Sequence, residues 1–445
     1  MNYLLASRAP GSDLPAGDQL FPQILCIDSI DVDRVADVRG AVVTCAPMEL
    51  DIGSVESLRD PTGYFARARQ HGDVQWSDAQ RGWVLLSHAD VESGFRDNEH
   101  LSSDRVSTFQ RAAQGHSPAF GKAVDMLNGW MNFRDPPAHT RLREPVRAAF
   151  TPRAVAALEG QIRRIVEDAL DAFDSDHVDL SAAFAHPIPS AVIGAVMGVD
   201  GPEREHFGDW ADDLGQLVFS LDPRAANEER VVNGAAEFTG FFGKLIARER
   251  ANPSASLLSA IVHRTDDGLT DLELIGACTL LLFGGSETTT TLLINTLALL
   301  LERPDLMEWL RAHPEADETS IDEFMRICGP ARSMPRKVSV THERGGKELR
   351  VGQSVYLCIT AANHDAGVFK DPASIDLARD PNPHFGFGWG MHYCLGANLA
   401  RLEARTALRG LFDRYRTIEL DGPLAPAHAS AMGYGRRPVR VKLGR

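Results

Sequence analysis

The sequence predicts a mainly α-helical protein with minor β sheets. Three observations lead there. Apolar residues recur at helical spacing in most of the chain beyond about Asp51. One run, Leu272 to Glu302, is apolar enough to be a long buried helix. Alternating, strand-like patterns are confined to short stretches, chiefly Lys337 to Thr341 and Glu348 to Leu357, around the turn Gly345-Gly346.

The elements follow in chain order. Residues 1–50 read as an irregular arm of unclear role, rich in Asp, Pro and Gly, with the Asp-studded apolar stretch Ile24 to Val43 packing partly on the body. Residues 51–445 show no linker and no repeat, so a single domain is expected. Pro61 to His71 reads as a helix and Gly82 to Ser87 as a strand. Arg141 to Phe150, Ala154 to Phe173 and Val231 to Glu249 are amphipathic. Glu315 to Cys328 is a helix stopped by Gly329 and Pro330, and Ala397 to Tyr415 is the last substantial helix.

Composition narrows the function. A chain of 445 residues with 44% hydrophobic and 24% charged residues can bury a large core. Its formal charge of −15 argues against nucleic-acid binding, which needs a basic footprint. Six scattered cysteines (Cys26, Cys45, Cys278, Cys328, Cys358, Cys394) form no CxxC pair and read as free thiols of a reducing compartment. No secretory signal is evident, and a cytoplasmic protein is expected. Between Leu274 and Leu301 the only ionisable group is Glu287. The length suffices for a bilayer, but a mid-membrane acid is costly, so a buried helix and no membrane anchor are expected.

The most informative segment is His384 to Ala397, HFGFGWGMHYCLGA. Four glycines, Gly386, Gly388, Gly390 and Gly396, surround Cys394 and let backbone approach a flat ligand. A helix follows at once, and its N-terminus favours a thiolate. A thiolate ligand pushes electron density onto haem iron. A buried cysteine in a glycine-rich turn is the plain alternative. A zinc site from His384, His392 and Cys394 is another, with a spacing that matches no common zinc pattern.

The string Phe387-Gly388-Trp389-Gly390-Met391-His392-Tyr393-Cys394-Leu395-Gly396 resembles the haem-binding loop of the cytochrome P450 family, FGxGxHxCLG. Three upstream segments resemble the family as well. Gly284-Gly285-Ser286-Glu287-Thr288 is similar to [AG]Gx[DE]T, where the glycines and hydroxyls can open a helix locally. Glu323-Phe324-Met325-Arg326 is similar to ExxR, and Asp376-Leu377-Ala378-Arg379 to FDxxR. Asp135-Pro136-Pro137-Ala138-His139-Thr140-Arg141-Leu142-Arg143 is similar to DPPxHTxxR, and Ala361-Ala362-Asn363-His364-Asp365 to AANxD. The resemblance covers about residue 51 to the C-terminus.

It implies a helical prism around a buried haem b (iron-protoporphyrin IX). Cys394 would be the metal ligand; Phe387 and Gly284 would lie against the haem. His139, Arg143, Arg336 and His392 would reach its propionates. Thr288 would orient the reduced dioxygen and Glu287 would gate its protons. Glu323, Arg326 and Arg379 would form a buried structural triad. The implied activity is monooxygenation of a small to medium hydrophobic substrate by O2. A peroxide-driven hydroxylase and a non-catalytic haem sensor are the rivals; the Glu287–Thr288 pair argues against both.

No flavin or iron–sulfur module fits in the chain, so electrons would come from an external ferredoxin or flavodoxin with its reductase. Arg401, Arg405 and Arg409, with Arg141, Arg147 and Arg153, suggest a basic patch for such an acidic partner. A monomer is expected. Pocket walls are expected at Leu101 to Leu127, around Phe207 to Leu221, and on the long helix, where Leu280 and Gly284 face the pocket. Arg332 points either to a substrate carboxylate or to solvent.

Overall fold

The computed structural model describes residues 48–199, 206–218, 226–263 and 269–445. The chain divides into two units, Met1–Pro47 and Met48–Arg445. The expected arm therefore falls almost wholly outside the described residues, as do Ile24 to Val43, Cys26, Cys45 and Leu221.

The second unit is built on the helix Asp271–Glu302, 32 residues long. Thr270 opens it with a capping box: its hydroxyl accepts from the Glu273 N–H, and the Glu273 carboxylate accepts from the Thr270 N–H. Among the described residues it is the one helix long and apolar enough to cross a membrane, and 67% of its apolar window is buried. Its first half packs with Phe120, Trp130, Phe207, Phe238 and Phe242. Its second half packs with Ile162, Phe184, Phe324, Leu408 and Leu411.

The main sheet has five strands, in the order Val74–Ser77, Gly82–Leu85, Ser354–Leu357, Met334–Val338, Leu101–Ser102. The Gly82–Leu85 and Ser354–Leu357 strands are parallel, and the other pairs are antiparallel. The sheet fixes Arg336, which lies opposite Val355. A three-stranded sheet joins His177–Asp179, Arg440–Gly444 and Thr417–Leu420. The hairpin His342–Arg344 to Lys347–Leu349 turns on Gly345 and Gly346, at φ 58° and 69°, where a side chain would be strained.

Four elements differ from expectation. The strand expected at Lys337 to Thr341 runs over Met334–Val338 instead, paired with Ser354–Leu357. Ala154 to Phe173 is two helices, Pro152–Ala156 and Glu159–Asp171. Val155, Ile162 and Val166 face one core, so apolar spacing alone does not reveal the break. Glu348 to Leu357 is interrupted because Gly352 turns the chain at φ 87°. Pro314 begins a separate 3-10 turn, Pro314–Ala316, ahead of the helix Asp317–Cys328.

The long helix touches the turn Leu127–Gly129 backbone to backbone. A Cβ at Gly276 would lie 2.5 Å from Met126 O and 2.7 Å from Gly129 Cα. Backbone cannot rotate away as a side chain can. Gly276→Ala should therefore destabilise the protein by about 1–3 kcal/mol. Gly240→Ala, on an exposed helix face with nothing within 4 Å, should be neutral or stabilising by about 0.5–1 kcal/mol. Urea unfolding of the two variants checks the contrast.

Candidate active site

On the long helix Leu280, Gly284 and Thr288 follow each other at four-residue steps and share one face. Leu280 is partly buried, whereas Gly284 and Thr288 are exposed within a helix whose neighbouring residues Leu282, Phe283, Ser286 and Thr289 are buried. A Cβ at Gly284 would meet nothing within 4 Å, while one at Gly285 would press on Ile193 at 3.1 Å. The face through Gly284 is thus open and the adjoining face packed. The expected opening of the helix is absent: it runs as α-helix throughout. Its hydroxyls do bond back, Thr288 Oγ1 to Gly284 O at 2.6 Å and Thr291 Oγ1 to Glu287 O at 2.9 Å. These bonds add to the backbone ladder without breaking it.

Glu287 is ion-paired with Arg436, whose Nε donates to Oε2 at 3.2 Å. Sequence reasoning missed Arg436. The only hint is the Arg436-Arg437 pair after Gly433-Tyr434-Gly435, far from Glu287 in the chain.

The cysteine loop is shaped by its glycines. Gly388 and Gly390 sit at φ 69° and 70°. The Gly388 N–H donates to Phe385 O and the Cys394 N–H to Phe387 O, at 2.8 and 2.9 Å. The helix Ala397–Arg414 starts three residues beyond Cys394. Cys394 retains accessible surface, yet burial raises its thiol above the ordinary value. Both hold for a side chain deep in the fold that faces an interior surface rather than bulk water. The Gly396 backbone N–H, Arg143 and Arg401 act the other way and favour the thiolate.

Beside it stand donors without acceptors. His139 is 3% exposed and neither ring nitrogen has a partner. His392 Nε2 is buried and unpartnered too. The two rings lie 4.4 Å apart. Arg336 is buried, donates only to Pro335 O at 2.9 Å, and has its pKa pushed down to about 10 by burial. Burial, then Arg336, His139 and Arg143, hold His392 near a pKa of about 3, so it is neutral. Arg143 Nη2 donates to Tyr393 O at 2.6 Å, tying its helix, Ala138–Ala149, to the residue before Cys394. Orphaned donors and a buried guanidinium lacking an acid fit an anionic ligand. Together with the open face at Gly284 and the interior Cys394, they fit a haem with two propionates.

Glu323 and Arg326 have no exposed side-chain surface and pair through two bonds, of 2.9 and 2.7 Å. Arg379 Nε adds a third at 3.1 Å. Asn382 Nδ2 and the Asp376 N–H also donate to this carboxylate. Arg326 reaches on to Asn363 O, Pro372 O and Ser374 O.

Two expectations are corrected. Arg332 meets neither substrate nor solvent: it is 1% exposed and donates to Ser57 O, Ser57 Oγ and Ser430 O. The arginines of the last helix are not a free basic patch. Arg401, Arg405 and Arg409 pair with Asp322, Glu318 and Asp317 of the helix Asp317–Cys328. Arg141 pairs with Glu273 and Arg147 with Glu144. Arg153 is exposed and makes no ion pair among the described residues. Of the expected walls, Leu101 to Leu127 contains the helices Val106–Ala113 and Pro118–Met126, while Phe207 is a core residue. Removing one partner of a fully buried ion pair strands the other charge. Glu323→Gln should therefore cost about 3–5 kcal/mol and lower haem content on expression, read by urea unfolding and by the haem-to-protein absorbance ratio.

Residues 221–443 match the family model described as Cytochrome P450. The chain is 33% identical over 420 residues to the cytochrome P450 monooxygenase PikC of Streptomyces venezuelae, covering 90% of this chain and 96% of that one. It is 32% identical to the vitamin D(3) 25-hydroxylase of Pseudonocardia autotrophica, covering 90% and 98%. Among solved structures, the cytochrome P450 enzyme CxnD, of C–S bond formation in chuangxinmycin biosynthesis, superposes with a TM-score of 0.77 at 31% identity, covering 87% of this chain and 95% of that one. The fold, the cysteine loop and these likenesses agree: the chain belongs to the cytochrome P450 family, a bacterial-type haem b monooxygenase that uses O2 and an electron-supplying redox partner.

Proposed function

We propose that this enzyme oxygenates a small to medium hydrophobic substrate in the cytoplasm, as a monomer fed by an external ferredoxin or flavodoxin, with Cys394 as the thiolate that would hold the haem iron. The observation that carries the site assignment is the set of unpartnered ring nitrogens of His139 and His392 beside the buried, acid-free Arg336, with the His139 helix tied to the Cys394 loop through Arg143. Relatives named as 6-deoxyerythronolide B and vitamin D(3) hydroxylases support an apolar substrate.

When bound, haem b supplies the oxygen-activating chemistry. His139, Arg143, Arg336 and His392 hold its propionates, and Phe387 and Gly284 line its two sides. Thr288 presents its hydroxyl on the open helix face and hands on protons there. Glu287 resupplies them from the side of the C-terminal segment. Arg436 is a positioning residue: its guanidinium fixes the direction of the Glu287 carboxylate. Of the six arginines expected to meet a redox partner, the one without an ion pair among the described residues is Arg153, a smaller patch than the sequence suggests, so partner binding should depend only modestly on salt.

The reduced protein with carbon monoxide should show the strongly red-shifted Soret band of thiolate ligation. Cys394→Ser should abolish that band, and a band unchanged in this variant would remove Cys394 as ligand. Thr288→Ala should release hydrogen peroxide at the expense of product, lowering product per electron pair by about tenfold or more. Arg436→Gln should produce a milder leak of the same kind, with Arg436→Lys partly restoring coupling. Peroxide and product assays on one reaction mixture measure both.

A further inference from the structure

Two mostly buried arginines near the site have no acid within ion-pair distance among the described residues. One is Arg336, already given to a propionate. The other is Arg105, at the start of the helix Val106–Ala113. Its guanidinium lies against two adjoining rings, 5.2 Å from the Phe109 centroid and 5.0 Å from that of Phe133, which are themselves 5.5 Å apart. Its only side-chain hydrogen bond is Nη2 to Val218 O, at 3.1 Å. Val218 is the last residue of the helix Phe207–Val218, where a cation is favoured, so one of five N–H donors is accounted for. Some of its area remains accessible, yet protein crowds it closely enough that burial lowers its pKa.

The surroundings are cationic. Lys337 on the neighbouring strand bonds only Ser354 Oγ, at 2.8 Å, and Arg111 only Thr108 Oγ1, at 3.2 Å. Burial, then Arg111 and Arg105, push the Lys337 amine down. A chain of charge −15 has therefore gathered three cations here, none of them ion-paired among the described residues. Most other buried guanidiniums here are well supplied: Arg326 has Glu323 and three carbonyls, Arg332 has Ser57 and Ser430, and Arg311 has two carbonyls.

Arg105 is also linked to the open helix face. Its platform ring Phe133 stacks on Trp130 at 5.3 Å, and Trp130 lies 5.3 Å from Phe283, the residue before Gly284. Trp130 Nε1 donates to Thr279 Oγ1 at 2.9 Å, which locks the row to the long helix. These rings are buried against one another, so the row is packing that fixes the place of Arg105 relative to the Gly284 face; a ligand using both would be amphipathic.

We propose that Arg105 binds a carboxylate on the substrate, so that the enzyme's substrates are apolar molecules with an acid group at the end remote from the oxidised carbon. The inference rests on the active-site reading above. A planar guanidinium with free N–H donors takes a carboxylate through two parallel bonds, and the flanking rings exclude water from them. Lys337 and Arg111 add charge without direct contact.

The test uses the haem-loaded enzyme and two matched probes, decanoate and its methyl ester, titrated by the spin-state shift of the Soret band. Wild type should bind decanoate about tenfold more tightly than the ester. Arg105→Gln should lose that preference while its ester affinity holds, and Arg105→Lys should keep part of it. Thermal melting guards against a folding defect, since Arg105 also caps a helix. Equal affinity for the two probes in wild type, no shift with decanoate, or a preference surviving in Arg105→Gln overturns the proposal. If those results come from protein with the red-shifted carbon monoxide band, only the role of Arg105 falls. If wild type lacks the band, the active-site reading falls with it.

Discussion

Glu323 gives up all its water when the chain folds, and the region around the cysteine loop is arranged to compensate. Five donors from four residues besides Glu323 meet its two oxygens: two from Arg326, and one each from Arg379, Asn382 and the Asp376 backbone. Desolvation alone would raise this carboxyl, but these bonds and charges hold it below its ordinary value. Because Arg326 spends its other donors on carbonyls at 363, 372 and 374, the loop has little freedom to slide along the helix. Asn363 passes the constraint on: its side chain accepts from the Phe385 N–H and donates to Arg326 O. Phe385 in turn begins the turn that presents Cys394. A buried ion pair is a weak source of net stability. Its contribution here is register, since Arg326 and Glu323 together bind backbone at 363, 372, 374 and 376 to one helix turn.

The opposite condition holds at the ligand-facing edge. The ring nitrogens of His139 and His392 Nε2 are buried without partners, and the buried Arg336 meets a single carbonyl and no acid; each costs free energy in the protein alone. A ligand that supplies two carboxylates removes that cost and stabilises the folded form by mass action. The fold thus concentrates its deficits where the proposed haem would sit and its surplus of bonds one layer behind. The paired arginines of the last helix belong to that rear layer. Arg401 bonds Asp322 and lies 4.4 Å over the Phe387 ring, and Asp322 also meets His384. Their four-residue repeat matches acids on the facing helix, which is why a stripe of arginine reads as a docking patch in sequence and as a helix–helix seam in three dimensions.

How far the sequence could be read follows from the range of each interaction. Helices with one apolar face were legible to within a few residues, because burial enforces the period. The break at Ala157 and the turn at Gly352 were not, because they leave that period intact or depend on a single φ. Glu323 with Arg326, and His139 with Arg143, were visible as spacings within one helix. Pairings between distant segments were visible only where the family resemblance supplied them, as for Arg379 with Glu323; neither Arg436 with Glu287 nor Arg332 with Ser57 has any local signature. For Arg332 the charge suggested solvent or substrate, but a guanidinium can equally be consumed by backbone oxygens, and three acceptors decide the matter.

That correction explains how Arg436 reaches its partner. Arg332 donates its backbone N–H to Met432 O and its guanidinium to Ser430 O, and Ser333 Oγ donates to Ala431 O. The segment 430–432 is therefore stapled to the chain leading into the strand that carries Arg336. Four residues beyond the staple, Arg436 meets Glu287. One buried arginine thus sets the origin from which another arginine orients an acid of the long helix. Removing the Arg332 side chain would leave Glu287 and Thr288 intact but free the segment that orients them. Its signature would be lost coupling with substrate affinity retained, the reverse of what a substrate-binding arginine would give.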